Sequence, residues 1–264
     1  MPLTFPSHAA AILPLLHVRG ARRLPAAALV VGSAAPDLVY LGGTFGAAAH
    51  HPWGLLGFCL PAGVLGYLVL EALLLPVLAA PLISLCPDRG RSTLARLVGP
   101  RPLPRSLGGW LAIGLGVLVG AATHQLWDGF THAWMWPARA LYPMTTVSLL
   151  GHPVLLSRVL QHASSALGLV IVGVYLGRTA PTTSVRPLLT RAAAARRLAA
   201  VLAAPFVAAC VAAIVRLRAP DPLMSRALWN AAWSAAAWFT LALGLVCLLV
   251  RARERRRSAG TGDA

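Results

Sequence analysis

Lysine is absent from this 264-residue chain, and seven acidic side chains stand against 23 basic ones, every one of them arginine. Charged residues of all kinds make up 11%, less than half of the roughly 25% usual in a soluble domain. With 58% hydrophobic residues and a mean hydropathy of +0.71, the chain has too little polar surface for a soluble globule. Cysteine is scarce as well. Cys59, Cys86, Cys210 and Cys247 lie in or beside apolar segments with no C-x-x-C spacing. That excludes a zinc knuckle and a disulfide framework and leaves small core residues. A P-loop, a glycine-rich nucleotide fingerprint and a nucleophilic-serine motif are also missing, so nucleotide-dependent and serine-hydrolase chemistry lack their machinery.

What the chain has is long apolar runs. Spanning hydrocarbon takes about 20 mostly apolar residues. Five runs meet or approach that length: Gly54–Glu71, Leu107–Trp127, Val159–Leu176, Leu198–Val215 and Ala227–Val250. The first is expected to continue as an interfacial segment through Pro76 and Pro81. Near the N-terminus, Ala9–Leu16 and Leu24–Leu41 are apolar but are separated by Val18-Arg-Gly-Ala-Arg-Arg23. An interfacial helix followed by a span is expected there, with a hairpin entering from one side as the alternative. The fold class is an all-α polytopic transmembrane helical bundle of five to six spans. Its organisation is read as a membrane domain over 1–178, two further transmembrane helices over 179–250 and a basic tail over 251–264.

Arg22-Arg23, the apolar Leu24–Val31 and the small residues from Gly32 follow the order of a secretory signal peptide. The earlier apolar stretch and the lack of a basic residue over Met1–Leu16 argue against cleavage.

A net charge of +16 invites a nucleic-acid partner, but the distribution of the arginines excludes one. Arg89, Arg91, Arg96, Arg101 and Arg105 fill one inter-span loop, Arg178, Arg186, Arg191, Arg196 and Arg197 another, and Arg251, Arg253, Arg255, Arg256 and Arg257 the tail. Alternating spans put all three on one side, which the arginine bias of short loops makes cytoplasmic. The opposite loops hold Arg139 and Arg158, and Arg216, Arg218 and Arg226. Trp127, Trp134, Trp136, Tyr142, Trp229 and Trp233 then fall toward the outer interface, where amphipathic rings meet headgroups. The partner implied is the lipid bilayer.

Against so few acidic groups, those beside histidine stand out. Asp88, Asp221, Glu254 and Asp263 fall in loops or the tail, as solvated charges. Glu71 is expected near the inner end of its span, within snorkelling reach of water, with a role in a proton or ion path as the alternative. Asp37 and Asp128 end apolar runs near histidine. In His124-Gln-Leu-Trp-Asp128-Gly-Phe-Thr-His132 the spacing of four keeps His124 and Asp128 on one helix face, drifting by about 40°. Imidazole nitrogen and carboxylate oxygen suit zinc or another divalent ion. The topology puts Asp37, His50 and His51 at the same outer face. His162, at the start of the third span, joins them as a further candidate ligand, as does His132. A hydrogen bond that merely anchors a helix end accounts equally well for an isolated His–Asp pair. The convergence is what favours a site. His17 and His152 are read as interfacial, without a role. Gly114, Gly116 and Gly120, and Gly168, Gly173 and Gly177, would permit close helix packing.

These residues carry a resemblance. Met1-Pro-Leu-Thr-Phe-Pro-Ser-His8, Gly32-Ser-Ala-Ala-Pro-Asp37, His50/His51 before Gly54-Leu-Leu-Gly-Phe-Cys-Leu-Pro61, the His124–His132 motif and Leu160-Gln-His162-Ala-Ser-Ser match, in order, a bacterial membrane family. That family is catalogued as domain of unknown function 4184 (DUF4184). The chain is more loosely similar to membrane-bound proteins described as metal-dependent hydrolases. That likeness implies His8, Asp37, His50 or His51, His124 and Asp128 as metal ligands. The spacing from histidine to glycine favours His50. The bacterial inner membrane follows as the expected location, with the C-terminus cytoplasmic.

The function expected is a membrane-embedded hydrolase using a divalent metal, zinc among the candidates, on a lipid or lipid-linked phosphoester at the outer face. Asp128 or Asp37 would ligate or act as general base. The alternative is a non-enzymatic protein, a small transporter or a scaffold with a structural His/Asp cluster, although the halves show no inverted repeat.

Overall fold

Apolar runs of this length become helices because hydrocarbon offers no partner to a backbone amide or carbonyl. The computed structural model describes residues 7–20, 23–42, 47–99, 101–178, 185–218 and 224–260. Arg22, Asp221 and Asp263 lie outside them. Among the described residues five helices are long and apolar enough to cross a membrane: Leu55–Leu85, Leu107–Thr131, Leu156–Arg178, Arg191–Arg218 and Ala227–Arg256. The fold is an all-α polytopic bundle. Each span is longer than its apolar run. The Arg191–Arg218 helix, for instance, takes in the arginines that flank its apolar centre.

In chain order the elements are α1 (Ala26–Gly32), α2 (Leu60–Val69), α3 (Leu75–Leu85), α4 (Asp88–Val98), α5 (Leu107–Thr131), α6 (Ala138–Leu141), β1 (Thr146–Leu149), β2 (His152–Leu155), α7 (Leu156–Arg178), α8 (Arg191–Arg218) and α9 (Met224–Gly260). They fall into two compact units. The first takes Met1–Val39, Phe45–Gly66 and Pro104–Tyr175, the second Tyr40–Thr44, Tyr67–Leu103 and Leu176–Ala264.

The N-terminal part of the first unit departs from the expected interfacial helix and span. Short 3-10 helices, Ser7–Ile12 and Leu15–His17, lead to α1, whose seven residues extend only about 10 Å. A 3-10 helix, Ala35–Gly42, follows. The apolar run thus breaks at Ser33-Ala34 and folds against α5 instead of crossing alone. Glycines make that approach possible. A Cβ at Gly120 would overlap the Leu29 carbonyl and the Ser33 amide, and one at Gly116 would press on Ala28. In α7, a Cβ at Gly168 would sit 2.8 Å from the Ser7 carbonyl oxygen, so this glycine seats the segment that carries His8. Gly173 and Gly177 face open space. Ile12, Leu29, Ile113, Val117 and Ala121 form the buried interior around these crossings. Between α6 and α7 the chain adds a small antiparallel hairpin, turned by Leu150 and Gly151, both at positive φ. Two successive left-handed residues form the tight turn that matches strand twist.

The second unit packs α3 against α8 and α9 around Val77, Val201, Leu243 and Cys247. The segment through Pro76 and Pro81 is not interfacial: it continues the helix, after a π turn over Leu70–Leu74. Pro76 has no N–H to give the Ala72 carbonyl, and the Arg251 guanidinium donates to that carbonyl instead. Glu71, within the same turn, is buried instead of snorkelling, and faces Arg101 at 3.9 Å. The loop after α3 carries its own helix, α4, whose Arg91 is buried and donates to the Cys86 and Val185 carbonyls. Trp229 and Trp233 pack with Tyr40. All four cysteines are free. Cys59 and Cys247 are buried as core residues, whereas Cys86 is half-buried and Cys210 exposed.

Candidate metal centre

Every residue of the centre belongs to the first unit. The 25-residue helix α5 supplies the framework, capped at its start by Ser106, whose side chain accepts from the Gly109 amide. On its last two turns the i, i+4 spacing brings His124 Nε2 to 3.1 Å from Asp128 Oδ2. The other ring nitrogen, Nδ1, lies 2.7 Å from the Ser33 carbonyl oxygen, just past the end of α1. That bond uses the proton on Nδ1 and turns Nε2 toward the carboxylates. The close α1–α5 crossing at Gly120 is what brings Ser33 within reach.

Asp37 comes from the first turn of the 3-10 helix Ala35–Gly42, immediately after Pro36. Its Oδ1 lies 3.7 Å from His124 Nε2 and 3.4 Å from His50 Nε2. His50 ends a short 3-10 turn, Ala47–His50. The Gln125 side-chain amide holds this turn in place by donating to the Ala49 and His51 carbonyls. His50 Nε2 also stands 3.6 Å from Asp128 Oδ2. The other oxygen of Asp128, Oδ1, lies 3.6 Å from His132 Nδ1 and 3.7 Å from His8 Nε2. The His8 ring stacks on that of His124 with centroids 4.0 Å apart.

Six candidates from the sequence, His8, Asp37, His50, His124, Asp128 and His132, therefore share one pocket of polar atoms. Two do not join it. The His51 side chain is exposed, with its Nδ1 against the Trp53 amide. One residue along a 3-10 turn is a rotation of about 120°, so of two adjacent histidines only one faces inward. His162 is likewise on the exposed side of α7. Its neighbour Gln161 reaches the centre, with its side-chain amide 3.1 Å from His132 Nε2. Sequence reasoning passed over Gln161, Gln125 and the Ser33 carbonyl. Ser33 and Gln161 lie inside the motifs quoted above, but only the i, i+4 rule within one helix was available to rank them.

The donor set fits a divalent cation. Two donors about 2.1 Å from one tetrahedral ion lie about 3.4 Å apart. His50 Nε2, His124 Nε2, Asp37 Oδ1 and Asp128 Oδ2 have neighbouring separations of 3.1–3.7 Å. The triads His8–Asp37–His124 and His50–His124–Asp128 each offer ligand atoms within 4.8 Å of one another, all buried. Burial, with His124 beside it, pushes the His8 imidazole down to about 4, and burial also lowers His132. Burial alone would raise the Asp37 carboxyl, but the His50 hydrogen bond and the facing imidazole of His124 hold it below the usual carboxylate range.

Trp127 and Trp134 line the cluster, their rings 6.4 Å from His8 and 6.2 Å from His50. The Trp127 indole N–H donates to Ser164 Oγ of α7 at 3.2 Å. His132, a quarter exposed, is the cluster's edge toward the surroundings. Beside the turn that carries His50 lies an open cleft of about 600 Å³, lined by Val39, Ala48, Ala49, His51, Trp53 and Phe58.

A family model described as "Domain of unknown function (DUF4184)" matches residues 1–249. No curated protein and no solved structure matches the chain. The chain belongs to the DUF4184 family.

Proposed function

We propose that this DUF4184 member is a metal-dependent hydrolase of a lipid or lipid-linked phosphoester, working at the outer face of a bacterial inner membrane with its arginine-rich loops and C-terminus in the cytoplasm. The observation that carries the reading is the set of imidazole nitrogens and carboxylate oxygens facing one another at 3.1–3.7 Å inside a buried pocket. Each imidazole–carboxylate pair needs a proton or a cation between its atoms, and several such pairs around one buried volume favour a shared cation. A bound divalent ion supplies Lewis acidity toward a phosphoryl or acyl oxygen and makes water acidic near neutral pH.

The chain's own groups would do the rest. Ser33 fixes the His124 tautomer, and Gln125 positions the turn bearing His50. Asp37 and Asp128 hold the positive charge, and whichever is not fully engaged can accept a proton from water. His132, at the exposed edge, is placed to pass a proton between the cluster and the surroundings. The apolar cleft beside His50 offers room for a hydrocarbon chain, which supports a lipid substrate. Purified protein should hold stoichiometric divalent metal, with zinc a candidate, and should hydrolyse a lipid phosphoester. If no metal is retained, and His124→Ala and Asp128→Ala leave metal content unchanged, the reading fails.

A second reading rests on Glu71, whose buried carboxylate faces Arg101 in the middle of a spanning helix. Ionisable groups at that depth serve transport in other membrane proteins. Flux in proteoliposomes abolished by Glu71→Gln but retained in His124→Ala would favour a transporter over a hydrolase.

A further inference from the structure

We propose that the hairpin joining α5 to α7 is seated in the lipid leaflet, with its strands at headgroup depth, its tip leucines at the acyl boundary and Arg139 and Arg158 on lipid phosphates. The proposal goes beyond the hydrolase reading and stands or falls separately from it.

The connection is unlike one made for water. From Ala133 to Leu155 it has no carboxylate and a single charged residue, Arg139. Its large apolar side chains are turned outward: Trp136, Leu141, Met144, Leu149 and Leu150 are all exposed, Leu150 at 93%. Exposed hydrocarbon gathered in one short segment marks an interaction surface.

The backbone points the same way. Among the described residues, the non-glycines at positive φ are Met144 and Leu150, at 52° and 51°. That conformation crowds Cβ, and turns that need it ordinarily take Asn, Asp or Gly, which also suit water. A leucine at the tip adds exposed hydrocarbon to a crowded backbone. Water compounds the two costs, whereas a leaflet sets the gain from burying leucine against the crowding.

Three observations name lipid as what covers the tip. The first is continuity. Phe130 near the end of α5 and Leu160 near the start of α7 are exposed on spanning helices, so hydrocarbon adjoins the connection at both ends. The Tyr142 hydroxyl donates to the Phe130 carbonyl, and the Leu156 amide donates to the Thr145 carbonyl at 2.8 Å. These bonds hold the base of the hairpin against those helix ends. The second is charge. Arg139 and Arg158 are exposed, and the described carboxylates pair with histidines or with Arg91, Arg101 and Arg197. Both guanidiniums are thus left for anions outside the chain, and lipid phosphates are such anions. The third is depth. Thr146 and Ser148 are exposed on β1 and suit headgroups. An open two-stranded edge has unpaired amides and is excluded from the hydrocarbon core, so the strands stay in the headgroup layer and only the tip side chains reach deeper. The connection begins just after His132, so that depth is also the depth of the cluster's exposed edge.

The test places an environment-sensitive fluorophore on Leu150→Cys in the full chain, with the exposed Cys210 and half-buried Cys86 replaced by serine. The protein is reconstituted in phosphatidylcholine vesicles with and without phosphatidylglycerol. A label on Arg255→Cys, exposed in the arginine-rich tail, is the reference. The label at 150 should emit to the blue of the reference, be quenched by spin-labelled acyl chains and be protected from aqueous iodide. Phosphatidylglycerol should shift it further, and Arg139→Gln combined with Arg158→Gln should remove that response. Emission at 150 that matches the reference and is quenched by iodide overturns the proposal. So does a blue shift that acyl-chain quenchers leave untouched, because protein then covers the tip. A tip quenched by acyl chains but indifferent to phosphatidylglycerol overturns the arginine–phosphate contacts. Met144→Cys gives a second labelling position if the label at 150 prevents folding. None of these outcomes depends on bound metal.

Discussion

In the first unit, four imidazoles and two carboxylates share one buried volume, with no guanidinium paired there among the described residues. In the second, each described carboxylate is matched to arginine: Glu71 to Arg101 at 3.9 Å, Asp88 to Arg91 at 2.6 Å and Glu254 to Arg197 at 2.8 Å. Both arrangements keep charged groups in an apolar chain, but their chemistry differs. Arginine stays protonated and offers no lone pair, so an arginine–carboxylate pair is electrically closed. An imidazole can give up its proton and offer a lone pair, so a cation can take that proton's place beside the carboxylates. The first unit is built to receive something. The second is built to hold itself together.

That contrast can be broken at several points. The largest effect is expected from His124→Ala or Asp128→Ala, which should lower metal affinity on the order of 100-fold or more and abolish hydrolysis. His50→Ala should act in the same direction, whereas His51→Ala should leave metal content at the wild-type level. Equal losses from His50→Ala and His51→Ala would contradict the inward assignment of His50. Next is packing. Gly120→Val must push α5 from Leu29 and Ser33 and should cost about 1–3 kcal/mol or more in thermal unfolding in detergent. Gly173→Val, with nothing near its Cβ, should stay within about 0.5 kcal/mol of wild type. Metal affinity should fall in Gly120→Val too, because Ser33 leaves His124. A smaller loss, about 10-fold in metal affinity, is expected for Gln161→Ala, with His162→Ala unchanged. If His162→Ala is instead the damaging one, α7 is rotated by about 100° from the orientation described. The smallest effect belongs to Arg197→Ala. Its partly exposed pair with Glu254 should contribute no more than about 1 kcal/mol, with no change in bound metal.

Some of this was legible in the residues and some was not. The five long helices could be read directly, because hydrocarbon thickness sets their length and composition marks them. His124 and Asp128 could be paired because one helix turn fixes their separation whatever the rest of the chain does. Over Leu24–Leu41 hydropathy favours a span above the alternative of a hairpin, because it averages over a window. That average does not register that Pro25 and Pro36 flank a helix of only seven residues. Glu71 was placed near water because its arginine partner lies 30 residues away in sequence and only folding brings the two together.

Composition, arginine placement and apolar run length by themselves determined that this is an all-α membrane bundle with a few polar groups worth asking about. They also determined the i, i+4 pair at the heart of the candidate centre. Tertiary structure decided the remainder: His50 over His51, Gln161 over His162, the Ser33 carbonyl as the group that turns His124, and the two-sided use of Asp128. Each is a choice between neighbouring residues or neighbouring atoms. Such choices depend on rotations of about 100° and separations of a few ångströms between segments far apart in sequence, which local periodicity does not constrain.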